Sequence, residues 1–248
     1  MAKKPNRAVV EQRAPSRVSS DDMAKQLWRS LDYFPTPPWA ARAVAHRLRQ
    51  LDPGAVDILE PACGEFHFAG PLGEVFGNEH VTASDIYDYG HGRVADFLTG
   101  TFEEASVDWI VTNPPFSKAY EFIERGLRVA RRGVVLAPCR LGLLESSERQ
   151  WLLYESEFPL TCLMPFVERV PMQLGSWDPD LSSAAAYGGF VFHKGREPMA
   201  PLPFKTGTKA TYWRDSDLAR FAKPEPIPLF ENLAPPALLS TVGAGCKR

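Results

Sequence analysis

Residues 107–116 read Val-Asp-Trp-Ile-Val-Thr-Asn-Pro-Pro-Phe and end in side chains and carbonyls able to do chemistry. The apolar, β-branched run stops at an amide followed by two residues without a backbone N–H. A strand must therefore end near Thr112 or Asn113. Proline pushes the residue before it into extended geometry, and the paired prolines leave carbonyl oxygens with no amide hydrogens competing for them. The Asn113 side-chain oxygen and the Pro114 carbonyl thus form a cluster of acceptors at the carboxyl end of a strand, with Pro115 and Phe116 beside them. Ligands bind at that end in open α/β sheets. Asn-Pro-Pro alone also suits a plain loop, so its context decides.

Other elements place further groups at strand ends. Residues 56–60 read as a strand entering the turn Glu60-Pro61-Ala62-Cys63-Gly64, whose small residues let a ligand approach the backbone. The helix that the turn opens presents amide hydrogens and a positive dipole end. Residues 81–85 form a second strand ending in Asp85, placed to accept hydrogen bonds from ribose hydroxyls. Asp96-Phe97 follows, then the strand to Asn113, a helix over residues 119–130 and a buried strand over residues 133–138. Upstream, Asp32-Tyr33-Phe34-Pro35-Thr36-Pro37-Pro38-Trp39 leads into Ala41, Val44, Leu48 and Leu51 at helical spacing. Thr36 suits the cap of that helix and Pro37 its first position. Asp52-Pro53-Gly54 ends it. Strands alternating with helices predict an α/β fold with a doubly wound, mostly parallel sheet.

The chain of 248 residues with 44% hydrophobic content is long enough for one such domain with appendages. We expect a basic N-terminal arm over residues 1–31, with Lys3, Lys4, Arg7, Arg13 and Arg17 against Glu11 and a short docking helix around Met23, Leu27, Trp28 and Leu31. A catalytic domain is expected over residues 32–195, with a candidate target-recognition loop over residues 165–187, and prolines crowd an extended tail over residues 196–248. Residues 161–164 and 188–193 read as further strands. A net charge of −2 argues against a protein that coats nucleic acid nonspecifically. The cysteines Cys63, Cys139, Cys162 and Cys246 lack metal-ligand or disulfide spacing, which suits a reducing cytoplasm. No apolar run approaches the roughly twenty residues of a membrane span, and we expect no membrane partner.

The coincidence of turn, acid and Asn-Pro-Pro at successive strand ends points to a nucleoside-bearing cofactor. The turn is not a Gly-x-Gly-x-x-Gly fingerprint, because Glu65-Phe66-His67 stands where further glycines would be needed. Over residues 33–140 the chain resembles class I S-adenosylmethionine-dependent methyltransferases that modify adenine N6 in DNA. Phe34-Pro35-Thr36-Pro37-Pro38 resembles the family's leading motif, Leu59-Glu60-Pro61-Ala62-Cys63-Gly64 its cofactor loop, Asp85 and Asp96-Phe97 its ribose and adenine contacts, and Asn113-Pro114-Pro115-Phe116 its catalytic motif, in an order similar to the gamma arrangement. The resemblance implies a Rossmann-like domain with an irregular C-terminal extension and S-adenosylmethionine as cofactor. That cofactor is expected at Phe34, Thr36, Pro37, Glu60, Pro61, Ala62, Cys63, Gly64, Asp85, Ile86, Asp96, Phe97 and Asn113. The family carries glycine where Phe66 stands, so Phe66 could crowd the cofactor.

Adenine N6 is a poor nucleophile because its lone pair is delocalised. Asn113 and the Pro114 carbonyl, accepting its hydrogens, would localise that pair, while Phe116 stacks on a flipped base. Neither a metal nor a general base is required, and Glu65, His67 and Asp108 rank below Asn113. Lys118, Arg125, Arg128, Arg131 and Arg132 are candidate phosphate contacts. Lys118, Arg169 and Trp177 are the expected substrate contacts, with Phe166 or Trp177 a second stacking face. Two alternatives stay open: a methyltransferase acting on RNA adenine or protein glutamine, and a non-catalytic binding module that kept the fold.

Overall fold

The structure, a computed structural model, describes residues 20–145, 151–197 and 207–222. The start of the expected arm and the end of the expected tail lie outside these residues. Helix α1 (Ser20–Leu31) matches the expected docking helix and buries none of its residues fully. Helix α2 (Pro38–Leu51) buries Trp39, Val44 and Leu48. It starts one residue later than the sequence suggests. Pro38 takes the first helical position, where its missing N–H costs nothing, and Pro37, not Thr36, stands at the cap without any side-chain capping bond.

Next come β1 (Ile58–Glu60), α3 (Ala69–Phe76), β2 (Val81–Asp85) and the two-residue β3 (Arg93–Val94). Strand β4 (Val107–Thr112) is followed by α4 (Ala119–Val129) and β5 (Ala130–Arg140), then by β6 (Leu160–Pro165) and β7 (Tyr187–His193). These strands form one sheet in the order β3-β2-β1-β4-β5-β7-β6. All pairings from β3 to β5 are parallel, whereas β7 runs antiparallel to both β5 and β6. Hence the sheet is mostly parallel and doubly wound, as the alternation of elements predicts. The strand order reverses between β1 and β4, which opens a crevice at their carboxyl ends.

Among the described residues, the two larger apolar clusters cover the sheet. One joins Trp39, Val44, Phe68, Leu72, Trp109, Val111 and Phe221. The other joins Phe97, Ile110, Phe122, Ile123, Leu127, Val134 and Phe190. Strand β4 feeds both cores because successive side chains point to opposite faces. Helix α4 lies close on the sheet at Gly126, where an added Cβ would come within 2.8 Å of Val134 Cγ2. Asp108 sits at a register irregularity in β4 and is held by the Val56 amide at 3.0 Å and by Arg131 Nε at 3.0 Å. It is part of the frame.

Part of the expected extended tail is folded. Helices α5 (Thr208–Tyr212) and α6 (Asp215–Phe221) pack on α2 and α3. Arg42 of α2, 1% exposed, binds both carboxylate oxygens of Asp217 at 2.8 Å, the Tyr212 carbonyl at 2.7 Å and Glu74 at 2.7 and 3.2 Å. Arg214 adds a further ion pair to Glu74 at 2.5 Å. Among the described residues no helix is long and apolar enough to cross a membrane.

Candidate active site

The crevice at the switch point holds a cavity of about 350 Å³, within the range of small-molecule sites. Of the residues singled out from sequence, Phe34, Thr36, Pro61, Ala62, Cys63, Gly64, Asp85, Ile86, Asp96, Phe97, Asn113, Pro115 and Lys118 line it. Pro37, Glu60, Pro114 and Phe116, also expected at the site, are not among the residues that line it. Glu60 ends β1 fully buried, its Oε1 accepting from Thr112 Oγ1 at 2.6 Å and from the Ala62 amide at 3.2 Å. Burial pushes its carboxyl well above the usual carboxylate range, with the nearby Asp85 adding to the rise. Glu60 therefore fixes the turn to β4 from below.

The turn needs glycine at position 64. Its φ is +48°, and an added Cβ would stand 2.7 Å from the Tyr33 ring. Asp85 clamps the turn from the neighbouring strand: one carboxylate oxygen accepts from the Gly64 amide at 2.9 Å and the other from the Tyr87 amide at 3.0 Å. Burial raises the Asp85 pKa against the opposing pull of these amides. Each oxygen keeps acceptor capacity toward the cavity. Asp96 is similarly anchored, to the Leu98 amide at 2.9 Å and Thr99 Oγ1 at 2.5 Å.

Phe66 has φ +66°, the left-handed conformation in which glycine is at ease. Its ring stacks on His91, with centroids 5.1 Å apart, and does not line the cavity. The expected crowding of a ligand by Phe66 is therefore not what the geometry shows.

Asn113 is held at the end of β4 by its own side chain. Its Nδ2 donates to the Phe34 carbonyl at 2.8 Å. A carbonyl only accepts, so this bond decides which way the amide points and turns Oδ1 the other way. Oδ1 is buried and has no partner. A buried acceptor left dry costs about 1–3 kcal/mol, a cost a ligand donor would remove. Phe34 belongs to the segment following α1, which is tied down on several sides: the Tyr33 amide bonds to the Trp28 carbonyl, the Gly175 amide to the Tyr33 carbonyl and the Ser117 amide to Asp32, each at 2.9 Å.

Phe116 packs between Phe34, at 5.1 Å, and Tyr187, at 6.3 Å, while the Arg140 guanidinium lies 5.3 Å from its ring centre. Arg140 and Tyr187 escaped the sequence reading because strand pairing with β7 is what brings them to the Asn-Pro-Pro turn. Tyr33, Tyr89 and His67 also line the cavity without having been singled out as site residues. Tyr33 and Tyr89 stack with centroids 4.9 Å apart. Burial, then the nearby Glu65, drives the Tyr33 phenol well above its ordinary range, so it stays a neutral donor.

The expected substrate contacts fare differently. Lys118 lines the cavity and pairs with Glu121 at 3.0 Å. Arg169 is exposed, does not line the cavity, and donates to the Ala184 and Ala185 carbonyls at 3.0 and 3.4 Å. Trp177 is buried, 1% exposed, against Trp213 of the α5–α6 link, so it offers no stacking face to a base. Phe166 is likewise buried, edge-on to Trp39. Among the candidate phosphate contacts, Arg125 is committed to the Gly100 and Phe102 carbonyls, Arg131 to Asp57 and Asp108, and Arg132 to Asp52.

No protein-family model and no curated protein sequence matches the chain. Solved structures do. A protein of Pyrococcus horikoshii, provisionally described as an RNA methyltransferase, superposes with a TM-score of 0.51 at 14% identity, over 68% of this chain and 88% of its own. A type I restriction-modification methyltransferase subunit of Streptococcus thermophilus gives a TM-score of 0.45 at 10% identity, over 74% of this chain; the match spans about half of that subunit, 51%. A tRNA (m1A58) methyltransferase of Aquifex aeolicus gives 0.40 at 17% identity, over 64% of this chain and 70% of its own. With its sheet order and its switch-point cavity, the chain has the Rossmann-like fold of the class I methyltransferases.

Proposed function

We propose that the protein transfers a methyl group from S-adenosylmethionine to the exocyclic N6 amine of adenine in DNA. One observation carries the reading: Asn113 Oδ1, a buried acceptor without a partner, is fixed in direction by the bond from Nδ2 to Phe34. It stands where the sequence motif Asn113-Pro114-Pro115-Phe116 resembles the catalytic motif of that family.

The residues present fit the cofactor. An acid at the end of β2 suits ribose hydroxyls, the apolar wall of Phe97, Leu98 and Phe122 suits a purine, and Gly64 lets a ligand approach the turn backbone. When bound, S-adenosylmethionine supplies an electrophilic methyl group on a sulfonium.

The protein's part is positioning and polarisation. Asn113 Oδ1 is assigned one N6 hydrogen, and the carbonyl of Pro114, which follows Asn113 in the chain but does not itself line the cavity, is assigned the other. Two acceptors turn the amine toward sp³ geometry and concentrate its lone pair. Preorganised dipoles of this kind act without reorganising during the reaction. Because Asn113 is neutral and anchored, it works as an acceptor and not as a base, and the amine's proton passes to solvent after transfer. A base inside a duplex cannot reach this cavity, so the target nucleotide must be flipped out. Phe34 lines the cavity with Phe116 packed against it, and this aromatic pair is assigned to receive the base, with Lys118, also on the wall, assigned to its phosphates.

Incubating the protein with labelled S-adenosylmethionine and unmethylated DNA, RNA or protein tests the reading. Label is expected at N6 of DNA adenine. Label in RNA or in protein glutamine, with none in DNA, would replace the substrate, and absence of cofactor binding would leave a binding module.

A further inference from the structure

His67 is a second buried acceptor on the cavity wall, and the mechanism above does not use it. Its Nε2 lies 3.3 Å from the Phe221 carbonyl oxygen. Since that oxygen only accepts, Nε2 carries the ring proton and Nδ1 presents a bare lone pair. Nδ1 is buried without a hydrogen-bond partner, and the whole residue is 3% exposed. Burial holds the imidazole down to about 4, with Arg220 and His91 adding to the fall against the Phe221 bond, so the ring is neutral near pH 7. A dry acceptor in a ligand cavity calls for a donor on the ligand.

The place of His67 says which donor. The cavity crosses the strand ends from one face of the sheet to the other: Phe97 and Phe122 belong to one core, while Phe68, next to His67, belongs to the opposite one. The adenosine half of the cofactor is assigned to Asp85 and Phe97. Its amino-acid half must then extend across the turn, toward the opposite core. We propose that His67 Nδ1 accepts a hydrogen bond from the α-ammonium group of the bound cofactor, which makes His67 a specificity residue for the amino-acid end. The inference rests on the cofactor reading given above. It also gives α6 a role in the site, because the Phe221 carbonyl selects the tautomer and Asp217 ties α6 to Arg42.

Calorimetric titration of the full chain with three ligands tests this: S-adenosylhomocysteine, its deamino analogue lacking the α-ammonium group, and methylthioadenosine, which lacks the amino-acid moiety. His67→Leu is expected to weaken S-adenosylhomocysteine by about tenfold or more and to leave the other two unchanged, which also shows that the variant is folded. His67→Asn, whose Oδ1 stands near the position of Nδ1, should recover most of the loss. Equal weakening of all three ligands, or no weakening of any, overturns the assignment while leaving the cofactor reading intact. A wild-type protein that binds none of the three overturns both.

Discussion

Asn113→Ala is the perturbation that bears most directly on the proposed chemistry. The substitution removes Oδ1, the dry acceptor, and with it the Nδ2 donor that satisfies the Phe34 carbonyl at 2.8 Å. These losses fall on different quantities. Loss of one preorganised group aimed at developing charge costs about 2.7–4 kcal/mol in the transition state, or about 10²–10³ in kcat. Exposure of the Phe34 carbonyl in a partly buried place costs up to about 1–3 kcal/mol of stability. Cofactor binding should change least, because Asp85, Gly64 and Asp96 keep their own anchors. Single-turnover methyl transfer to an adenine-containing duplex, paired with calorimetric titration of S-adenosylhomocysteine, separates these effects. A kcat within about threefold of the wild type, roughly 0.7 kcal/mol, would refute the acceptor mechanism. A large loss of cofactor affinity at unchanged kcat would instead make Asn113 a ligand anchor.

Phe66→Gly should relieve a left-handed residue worth about 1–2 kcal/mol while forfeiting a ring contact with His91 worth about 0.5–1.5 kcal/mol, so urea unfolding should move little. Its affinity for S-adenosylhomocysteine should also be unchanged, and a gain of more than about tenfold would show that the ring obstructs the site. Arg42→Met strips Asp217 of its partner in a place where that side chain is 5% exposed; it should cost about 3–5 kcal/mol and expose residues 207–222 to proteolysis, whereas a neutral result would mean that α6 is not held by this pair. Acid unfolding carries a sign that can be worked out at Asp52. Burial raises its pKa, but the bonds from Trp109 Nε1 and Arg132 outweigh it and leave the folded value below the ordinary one. The stabilisation is therefore complete above the unfolded value of about 3.9 and is lost as pH falls through the lower folded value. Asp52→Asn should flatten the stability profile below about pH 4, and an unchanged acid limb would count against the assignment.

What the sequence made legible were the features that local chemistry decides. Paired prolines have no N–H to give to a ladder, so the end of β4 could be placed from the string alone, whereas the direction of the Asn113 amide is decided by the distant Phe34 carbonyl. Asp85 at the end of β2 and the parallel alternation were legible in the same way as the end of β4. Arg131 and Arg132 were different. On a helix-to-strand junction they look like a basic face, yet their partners Asp52, Asp57 and Asp108 come from elements far away in sequence. Trp177, expected as a substrate contact, is instead buried in the core with Trp213 beside it. No periodicity announces such a contact.

The C-terminal region shows how an average hides an element. Prolines at positions 198, 201, 203, 224, 226 and 228 make the tail read as extended chain. Residues 207–222 between them contain no proline, and they form α5 and α6. Phe221 stacks on His67 with centroids 4.8 Å apart and gives its carbonyl to the same ring. Gly70, in the first turn of α3, leaves room for the Arg220 guanidinium, 3.3 Å from where a Cβ would stand. Thus the segment that composition sets aside as appendage reaches the cavity wall. Its anchor, Asp217 on Arg42, lies on the opposite side of α6 from solvent and is 3% exposed. Cutting the chain ahead of residue 207 should therefore remove the partner that fixes the His67 tautomer and lower cofactor affinity, although no residue of α5 or α6 lines the cavity. Unaltered binding of S-adenosylhomocysteine by such a truncated chain would show that the wall holds its shape without them.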